Sequence, residues 1–177
     1  MRGPLDVIIE TSRLRLRRLA PADAPRLAEI QANWNVTRNL AAATFPSSLD
    51  DMRHWLAGHE TEWSAGRAYR FSVICDDAIV GCADIDTIEG DQGELGYWLD
   101  EPWWGRGFAS EAGAALVDFA RDTLRLRRLV AGHAADNPAS GRVLRKLGFR
   151  WREDAAVWSN PRQATIAKTK YTLDLVG

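Results

Sequence analysis

One stretch near the middle of the chain constrains the fold more than any other. A strand pattern at residues 94–99 is followed by a loop with two glycines, Gly105 and Gly107, and then by a helix that begins near Phe108. Unpaired N–H groups at a helix N-terminus attract anions, and glycine lets a phosphate approach the backbone closely. The spacing therefore predicts either a phosphate site or a strand-to-helix turn that needs glycine only for its geometry.

Two common nucleotide motifs fit this stretch poorly. The dinucleotide fingerprint expects a Gly or Ala where Ser110 stands, and an acidic residue at the end of the next strand, which here ends in Gly132 and His133. The nucleoside-triphosphate loop requires Gly-Lys followed by Ser or Thr, which this stretch lacks. Both kinds of nucleotide site are therefore disfavoured.

Hydrophobic periodicity predicts the order strand, two helices, three strands, helix, strand, helix, two strands. Helices and strands alternate late in the chain but not early, which favours an α/β (α+β) fold with a mixed sheet over a regular parallel one. The predicted strands are 13–18, 69–75, 79–88, 94–99, 127–133, 149–152 and 165–173. The predicted helices open at Pro21, cover 49–64 and 108–123, and run from Asn137 to Leu147.

Size and composition restrict the class of protein. A chain of 177 residues predicts one domain, 1–177, since domains hold roughly 100–200 residues. The net charge of -1 gives no general attraction to nucleic acid or to an anionic membrane. There is no run of the ~20 apolar residues that a membrane helix needs, and the first residues lack the apolar segment of a signal peptide. We therefore expect a cytoplasmic protein that binds neither nucleic acid nor membrane.

The two cysteines, Cys75 and Cys82, flank a predicted tight turn that begins at Asp76. In such a hairpin Cys75 lies opposite residue 78 or 79, so the two sulfurs are too far apart for a disulfide. With no histidine near them they make no zinc site. We expect reduced thiols and no bound metal.

Two motifs resemble the GNAT superfamily of N-acetyltransferases. The family's acyl-CoA motif, Gln/Arg-x-x-Gly-x-Gly/Ala, aligns on Trp104, Gly105, Arg106, Gly107, Phe108 and Ala109, with Trp104 in the Gln/Arg position. The segment that starts at Asn137 and contains Ser140 and Gly148-Phe149 is similar to Asn-x-x-Ser…Leu-Gly-Phe of the RimJ/RimL-like branch. The opening Glu10-Thr-x-Arg-Leu-x-Leu-Arg also fits, so the resemblance covers nearly the whole chain.

The resemblance implies a mixed, mostly antiparallel sheet with helices on both faces. In such a fold the strand at 94–99 splays from the strand at 127–133, and acetyl-CoA enters the gap. It implies that the pantetheine arm pairs with the backbone of Tyr97, Trp98 and Leu99 and contacts Asn137. It also implies that the loop and first helical turn hold the pyrophosphate, through Trp104, Gly105, Arg106, Gly107, Phe108, Ala109 and Ser110.

Ser140 resembles the general acid of this branch. A hydroxyl in reach of the departing coenzyme A thiolate can stabilise or protonate it. The alternative is a serine in the first turn of a helix that only makes a local hydrogen bond. Many family members use a tyrosine instead, and no tyrosine is an obvious candidate in this sequence.

Glu94 is the candidate base or amine anchor, because an attacking amine must first lose its proton. Asp84 and Asp86, on the neighbouring predicted strand, could join it in an acidic pocket for a cationic substrate, or could be solvated or paired with arginines. Glu153, Asp154 or a water molecule are the other candidates for the base.

Trp34 and Trp55 lie in the early helical region, where family members vary to shape the acceptor site, and we expect them to line that site. The predicted function is transfer of acetyl from acetyl-CoA to a primary amine, by direct attack through a tetrahedral intermediate. The acceptor is a protein N-terminus or a small-molecule amine, and the protein is a monomer or a homodimer. The alternative function is a non-catalytic acyl-CoA sensor or interaction module on the same fold.

Overall fold

The computed structural model describes residues 7–175 and contains one eight-stranded sheet. Residues 1–6 and 176–177, which the predicted domain included, lie outside the described residues, as does the first part of the stretch judged for a signal peptide. The strand order is β1-β2-β3-β4-β5-β6-β8-β7. The strands are β1 Ile8–Glu10, β2 Arg15–Arg18, β3 Tyr69–Cys75, β4 Ala78–Glu89, β5 Gln92–Leu99, β6 Arg128–Ala134, β7 Arg150–Ser159 and β8 Ala164–Asp174.

Within residues 7–175, only β5 and β6 pair in parallel, which confirms the predicted mixed, mostly antiparallel sheet. Helices pack on both of its faces, also as predicted. One core lies between the sheet and α5, and a second lies between the opposite face and α1 and α3. The helices are α1 Ala24–Gln31, α2 Trp34–Thr37, α3 Leu49–Ala57, α4 His59–Ser64, α5 Phe108–Asp118 and α6 Pro138–Lys146. Within residues 7–175, no helix is long and apolar enough to cross a membrane.

Five elements differ from the sequence prediction. One is the short helix α2, in a stretch for which no helix was predicted. The helix predicted over 49–64 is two helices that meet at Gly58, a residue that weakens helices because it lacks a side chain. The helix predicted over 108–123 ends as α5 at Asp118 and continues as one π-helical turn. The strands β1 and most of β7 were missed, because β1 has only three residues and β7 is exposed along most of its length, with no apolar alternation strong enough to mark it.

The hairpin between β3 and β4 turns at Asp76 and Asp77, which both have positive φ, at 47° and 62°. Cys75 lies opposite Ala78, as predicted, and Cys82 lies opposite Ser72. The two buried thiols are free.

The geometry that positions the site is the separation of β5 from β6. The two strands pair only where Gln92, Gly93 and Glu94 lie beside Arg128–Val130. Beyond this point β5 continues beside β4 and β6 continues beside β8. A gap therefore opens between the carboxyl-terminal halves of these two parallel strands, as the family resemblance implied.

Candidate active site

Backbone groups of β5 line one side of the gap. The amide of Asp100 donates to the Val80 carbonyl at 2.8 Å, and from there the antiparallel register with β4 is continuous back to Glu94, which lies opposite Asp86. Because successive residues of an antiparallel strand alternate in the direction of their hydrogen bonds, the backbone of Trp98 bonds to β4. Tyr97 and Leu99 direct theirs toward the gap. Of the three residues expected to pair with a pantetheine arm, two thus face the gap and Trp98 does not.

Trp104 closes the end of this edge. Its indole Nε1 donates to the Leu99 carbonyl at 2.8 Å. That bond uses the side chain where the family pattern has Gln or Arg. It leaves the backbone of Tyr97 and the amide of Leu99 as the groups directed into the gap.

The glycine loop leads from β5 into α5 in a left-handed conformation. Gly105 has φ 73° and Gly107, the N-cap of α5, has φ 81°. The amides of Phe108, Ala109 and Ser110 form the first turn of α5, where backbone donors have no partner within the helix. An N-terminal turn entered through glycine fits an anionic phosphate group.

Glu111 fixes this loop to the amino-terminal part of the chain. Its carboxylate accepts hydrogen bonds from the hydroxyls of Thr11 (2.6 Å) and Ser12 (3.1 Å) and from the backbone amide of Arg13 (2.9 Å). The Arg13 guanidinium also contacts Glu111 and donates to the Arg106 carbonyl at 2.9 Å. These bonds raised no signal in the sequence, because nearly 100 residues separate the partners.

Two hydroxyls meet on the α6 side of β5. Ser140 Oγ lies 2.8 Å from the Tyr97 hydroxyl, which also donates to the Ser140 carbonyl at 3.2 Å. The side chain of Asn137 caps α6 by accepting from the Ser140 amide at 3.4 Å. Burial raises the pKa of Tyr97 to about 12, against the lowering effect of its bond to Ser140, so the phenol is a neutral proton donor at pH 7. Tyr97, which the sequence analysis named only for its backbone, therefore places its hydroxyl beside the predicted acid Ser140.

The predicted acidic residues share the opposite face of the sheet. Asp86 lies across from Glu94, and Asp84 lies across from Gly96. An added Cβ at Gly96 would lie 2.5 Å from Asp84 Oδ1, so the glycine makes room for this carboxylate.

Two of the three carboxylates have cationic partners. Glu94 lies 3.4 Å from Lys168 Nζ, and Asp86 lies 3.4 Å from Arg70, which also binds Glu62. The acidic pocket expected from the sequence is therefore partly neutralised. In contrast, the hydrogen bond that the structure gives Asp84 is a weak one from the Cys82 thiol at 3.9 Å.

Asp84 is the most perturbed of these groups. Its side chain is buried, which raises its pKa to about 7, and the negative charge of Asp86 and then of Glu94 adds to the rise against the opposing effect of Arg70. A carboxyl group that titrates near neutral pH can accept and release a proton under working conditions.

The remaining predicted residues are spread around the site. Trp34 in α2 is partly exposed and contacts the ring of Phe45 at 4.8 Å. Trp55 in α3 lies under the guanidinium of Arg70, whose Cζ is 5.8 Å from the centroid of the Trp55 ring. Trp55 therefore borders the three acidic residues. The other predicted base candidates lie on β7, where Glu153 pairs with Lys170 and Asp154 is exposed.

Comparison with known sequences identifies relatives of one kind. A family model described as an acetyltransferase (GNAT) domain matches residues 13–150. The N-acetyltransferase p20 of Bacillus licheniformis is 34% identical over 146 residues, which is 79% of this chain and 80% of the relative. The ribosomal protein uS5-alanine N-acetyltransferase of Escherichia coli is 28% identical over 158 residues, 81% of this chain and 78% of that protein.

Solved structures show the same fold. The ribosomal L7/L12 alpha-N-protein acetyltransferase RimL in complex with coenzyme A superposes with a TM-score of 0.83 at 24% identity, over 95% of this chain and 98% of that one. Mycobacterium smegmatis RimJ in complex with a coenzyme A disulfide gives a TM-score of 0.89 at 19% identity, over 98% and 90% of the two chains. With the family match over most of its length, this chain belongs to the GNAT family and is an acetyl-CoA-dependent N-acetyltransferase.

Proposed function

We propose that the enzyme, as a single domain over residues 1–177, acetylates the α-amine of a protein chain. The observation that carries the proposal is the arrangement of acid and base on opposite faces of β5. The hydroxyl pair of Tyr97 and Ser140 lies on the α6 face, and Asp84 lies on the face covered by α1 and α3. An amine can then approach from one face while the thiol leaves toward the other.

Acetyl-CoA supplies the activated acetyl group, and this chain's residues hold it and move the protons. Tyr97 and Leu99 offer backbone groups to the pantetheine arm, Asn137 borders its path, and the first turn of α5 takes the pyrophosphate. Ser140 donates a proton to the departing thiolate as the C–S bond breaks, and solvent returns a proton to Ser140 through the hydroxyl of Tyr97. No metal ion takes part in these steps.

On the amine side, Asp84 takes the proton that the ammonium group must lose before it can attack, directly or through one water molecule, and releases it to solvent. The second proton leaves the nitrogen to solvent as the tetrahedral intermediate collapses to the amide. Asp84 suits this role better than Glu94, because Lys168 holds Glu94 as a paired carboxylate. An α-amine has a pKa of about 7.7–8.0, within about one unit of Asp84, whereas a lysine amine at about 10.4 is a much poorer match.

Relatives support a protein acceptor. The Escherichia coli relative is named for the alanine of ribosomal protein uS5, and RimL for the α-amine of L7/L12. Trp34 and Trp55 then flank the path by which the chain end arrives, and Asp86 and Glu94, each paired with a cation, border it.

The direct test is thiol release from acetyl-CoA with two sets of acceptors. Short linear peptides with a free α-amine are expected to support release, whereas small alkylamines and polyamines at equal concentration support much slower release. Mass spectrometry locates the acetyl group on the peptide. Faster turnover of small amines would contradict the protein acceptor, and tight coenzyme binding without release to any amine would favour the acyl-CoA sensor instead.

A second test concerns the pyrophosphate loop. Gly107→Ala should weaken acetyl-CoA binding about tenfold, because misplacing one charge-assisted bond costs roughly 1.5–3 kcal/mol and 1.4 kcal/mol is tenfold in affinity. Gly90→Ala is the matched control, since Gly90 also has positive φ (61°) but lies in the β4–β5 turn with open space around its Cα. Isothermal titration measures the acetyl-CoA affinity of both variants. Equal affinities would contradict the placement of the pyrophosphate at this loop.

A further inference from the structure

A short segment that follows α2, residues 38–43 and here called the strap, spans the open end of the gap. On one side it follows Asn33 and Asn35, whose amide groups donate to the carboxylate of Glu101 just beyond β5, at 2.6 and 3.0 Å. On the other side it meets the turn between β7 and β8, next to the carboxyl end of β6. The strap therefore connects the ends of the two strands on the side where they no longer pair.

Backbone carbonyls of the strap accept hydrogen bonds from the β7–β8 turn. Asn160 donates its amide to the Ala41 carbonyl at 2.9 Å and its side chain to the Ala43 carbonyl at 3.3 Å. Arg162 Nε donates to the Arg38 carbonyl at 2.8 Å. The strap can leave the β7–β8 turn only if these bonds break together.

Asp136 is the centre of the ion pairs that hold this contact. Both of its oxygens accept from Arg162, at 2.8 and 2.9 Å, and one also accepts from Arg38 at 2.6 Å. Arg162 and then Arg38 lower the pKa of Asp136, so the carboxylate stays charged at neutral pH. A bidentate arginine within a three-charge group is the geometry in which partly exposed ion pairs contribute most.

The position of Asp136 in the chain gives the contact a further consequence. It directly precedes Asn137, the N-cap of α6, and α6 carries Ser140. One carboxylate thus links the strap, the β7–β8 turn and the start of the helix that presents the acid. The strap, the β7–β8 turn and α6 are distant from one another in sequence, and Asp136 is adjacent only to α6.

We propose that Asp136 is a positioning residue that keeps the strap closed and so forms one wall of the acceptor path. This rests on the proposed function only for its kinetic consequence. The acceptor binds against the closed strap, whereas the coenzyme contacts β5, α5 and α6. The helix α6 keeps its place without the strap, because Leu144 packs in the core and Asn137 caps the helix. Loss of the Asp136 ion pairs should therefore weaken binding of the acceptor and leave binding of the coenzyme unchanged.

The test compares Asp136→Asn with Asp174→Asn, a matched control because Asp174 pairs with Arg128 at 2.9 Å far from the strap. Hydrogen exchange of the Asn160 amide should be about fivefold faster in Asp136→Asn and unchanged in the control. With a short linear peptide as acceptor, the KM for the peptide should rise about fivefold, while kcat and the Kd for acetyl-CoA stay within about twofold. Asp136→Glu, which restores the carboxylate, should recover part of the loss.

Salt provides an independent reading. Because partly exposed ion pairs are screened, potassium chloride should raise the peptide KM of the wild type more than that of Asp136→Asn. Unchanged exchange at Asn160 in Asp136→Asn would overturn the proposal, whatever the activity. Faster exchange with an unchanged peptide KM would overturn the role of the strap in acceptor binding. If the wild type acetylated no amine while exchange at Asn160 was still faster in Asp136→Asn, the proposed function would fail. The role of Asp136 in holding the strap closed would remain.

Discussion

Replacing Ser140 by alanine is expected to lower kcat about 100-fold while the Kd for acetyl-CoA changes less than twofold. A positioned general acid typically contributes 10²–10⁴-fold to the rate, so a loss of about 100-fold is a low estimate. The coenzyme keeps its backbone partners on β5 and α5, and Asn137 still caps α6. Single-turnover kinetics should be used, so that chemistry rather than product release is measured.

The hydroxyl pair allows a stricter form of this test. If Tyr97 acts through Ser140, then Tyr97→Phe should lower kcat about tenfold in the wild type and hardly at all in Ser140→Ala, because residues that act as a unit are not additive. Ser64→Ala, on the exposed face of α4, is the control for loss of a serine hydroxyl. An unchanged single-turnover rate in Ser140→Ala would reduce Ser140 to a helix-start residue, and strictly additive effects would separate Tyr97 from the acid step.

The features that could be predicted from sequence are local ones. The glycine loop is a pattern of consecutive residues, since Gly105, Gly107 and the helix that starts at Phe108 are adjacent in the chain. The N-caps Ser48 and Asn137 likewise precede the helices that they cap. Alternation of apolar residues placed the inner strands, because each of them buries at least one face.

The features that could not be predicted are pairings between distant segments. Tyr97 and Ser140 are 43 positions apart, and Arg38 and Asp136 are 98 apart. No periodicity links such residues, and only the path of the sheet brings them together. The same reason explains why Lys168 was not predicted as the partner of Glu94, since it reaches Glu94 from β8, 74 positions later.

Replacing Asp84 by asparagine is expected to lower kcat/KM at pH 7 by about 100-fold with a peptide α-amine as acceptor, which is the contribution of a matched general base. In the wild type, kcat/KM should rise with pH through about 7 as Asp84 ionises. In Asp84→Asn that rise should vanish and leave only the ionisation of the acceptor amine. The variant should fold, because the asparagine removes a buried charge and keeps the shape of the side chain.

The stability of the protein gives a control for this interpretation. Because the pKa of Asp84 is higher in the folded chain than the ordinary value of 3.8, its protonated form stabilises the fold. That contribution is complete below the ordinary value and is lost as the pH rises through about 7. At pH 8 the Tm of Asp84→Asn should therefore equal or exceed that of the wild type. A lower Tm at that pH would indicate that damage to the fold explains the lost activity.

Glu94→Gln separates the two candidate bases. If Asp84 is the base, this variant keeps most of the activity at pH 8, and the rise of kcat/KM moves to lower pH. The direction follows from charge, because losing the negative Glu94 and freeing the positive Lys168 both lower the pKa of Asp84. If Glu94 is the base, the variant instead loses activity at every pH below the pKa of the amine, and the loss shrinks only as the amine becomes neutral. A profile for Glu94→Gln that keeps its midpoint and loses about 100-fold below the pKa of the amine would assign the proton to Glu94 and leave Asp84 as a buried structural acid.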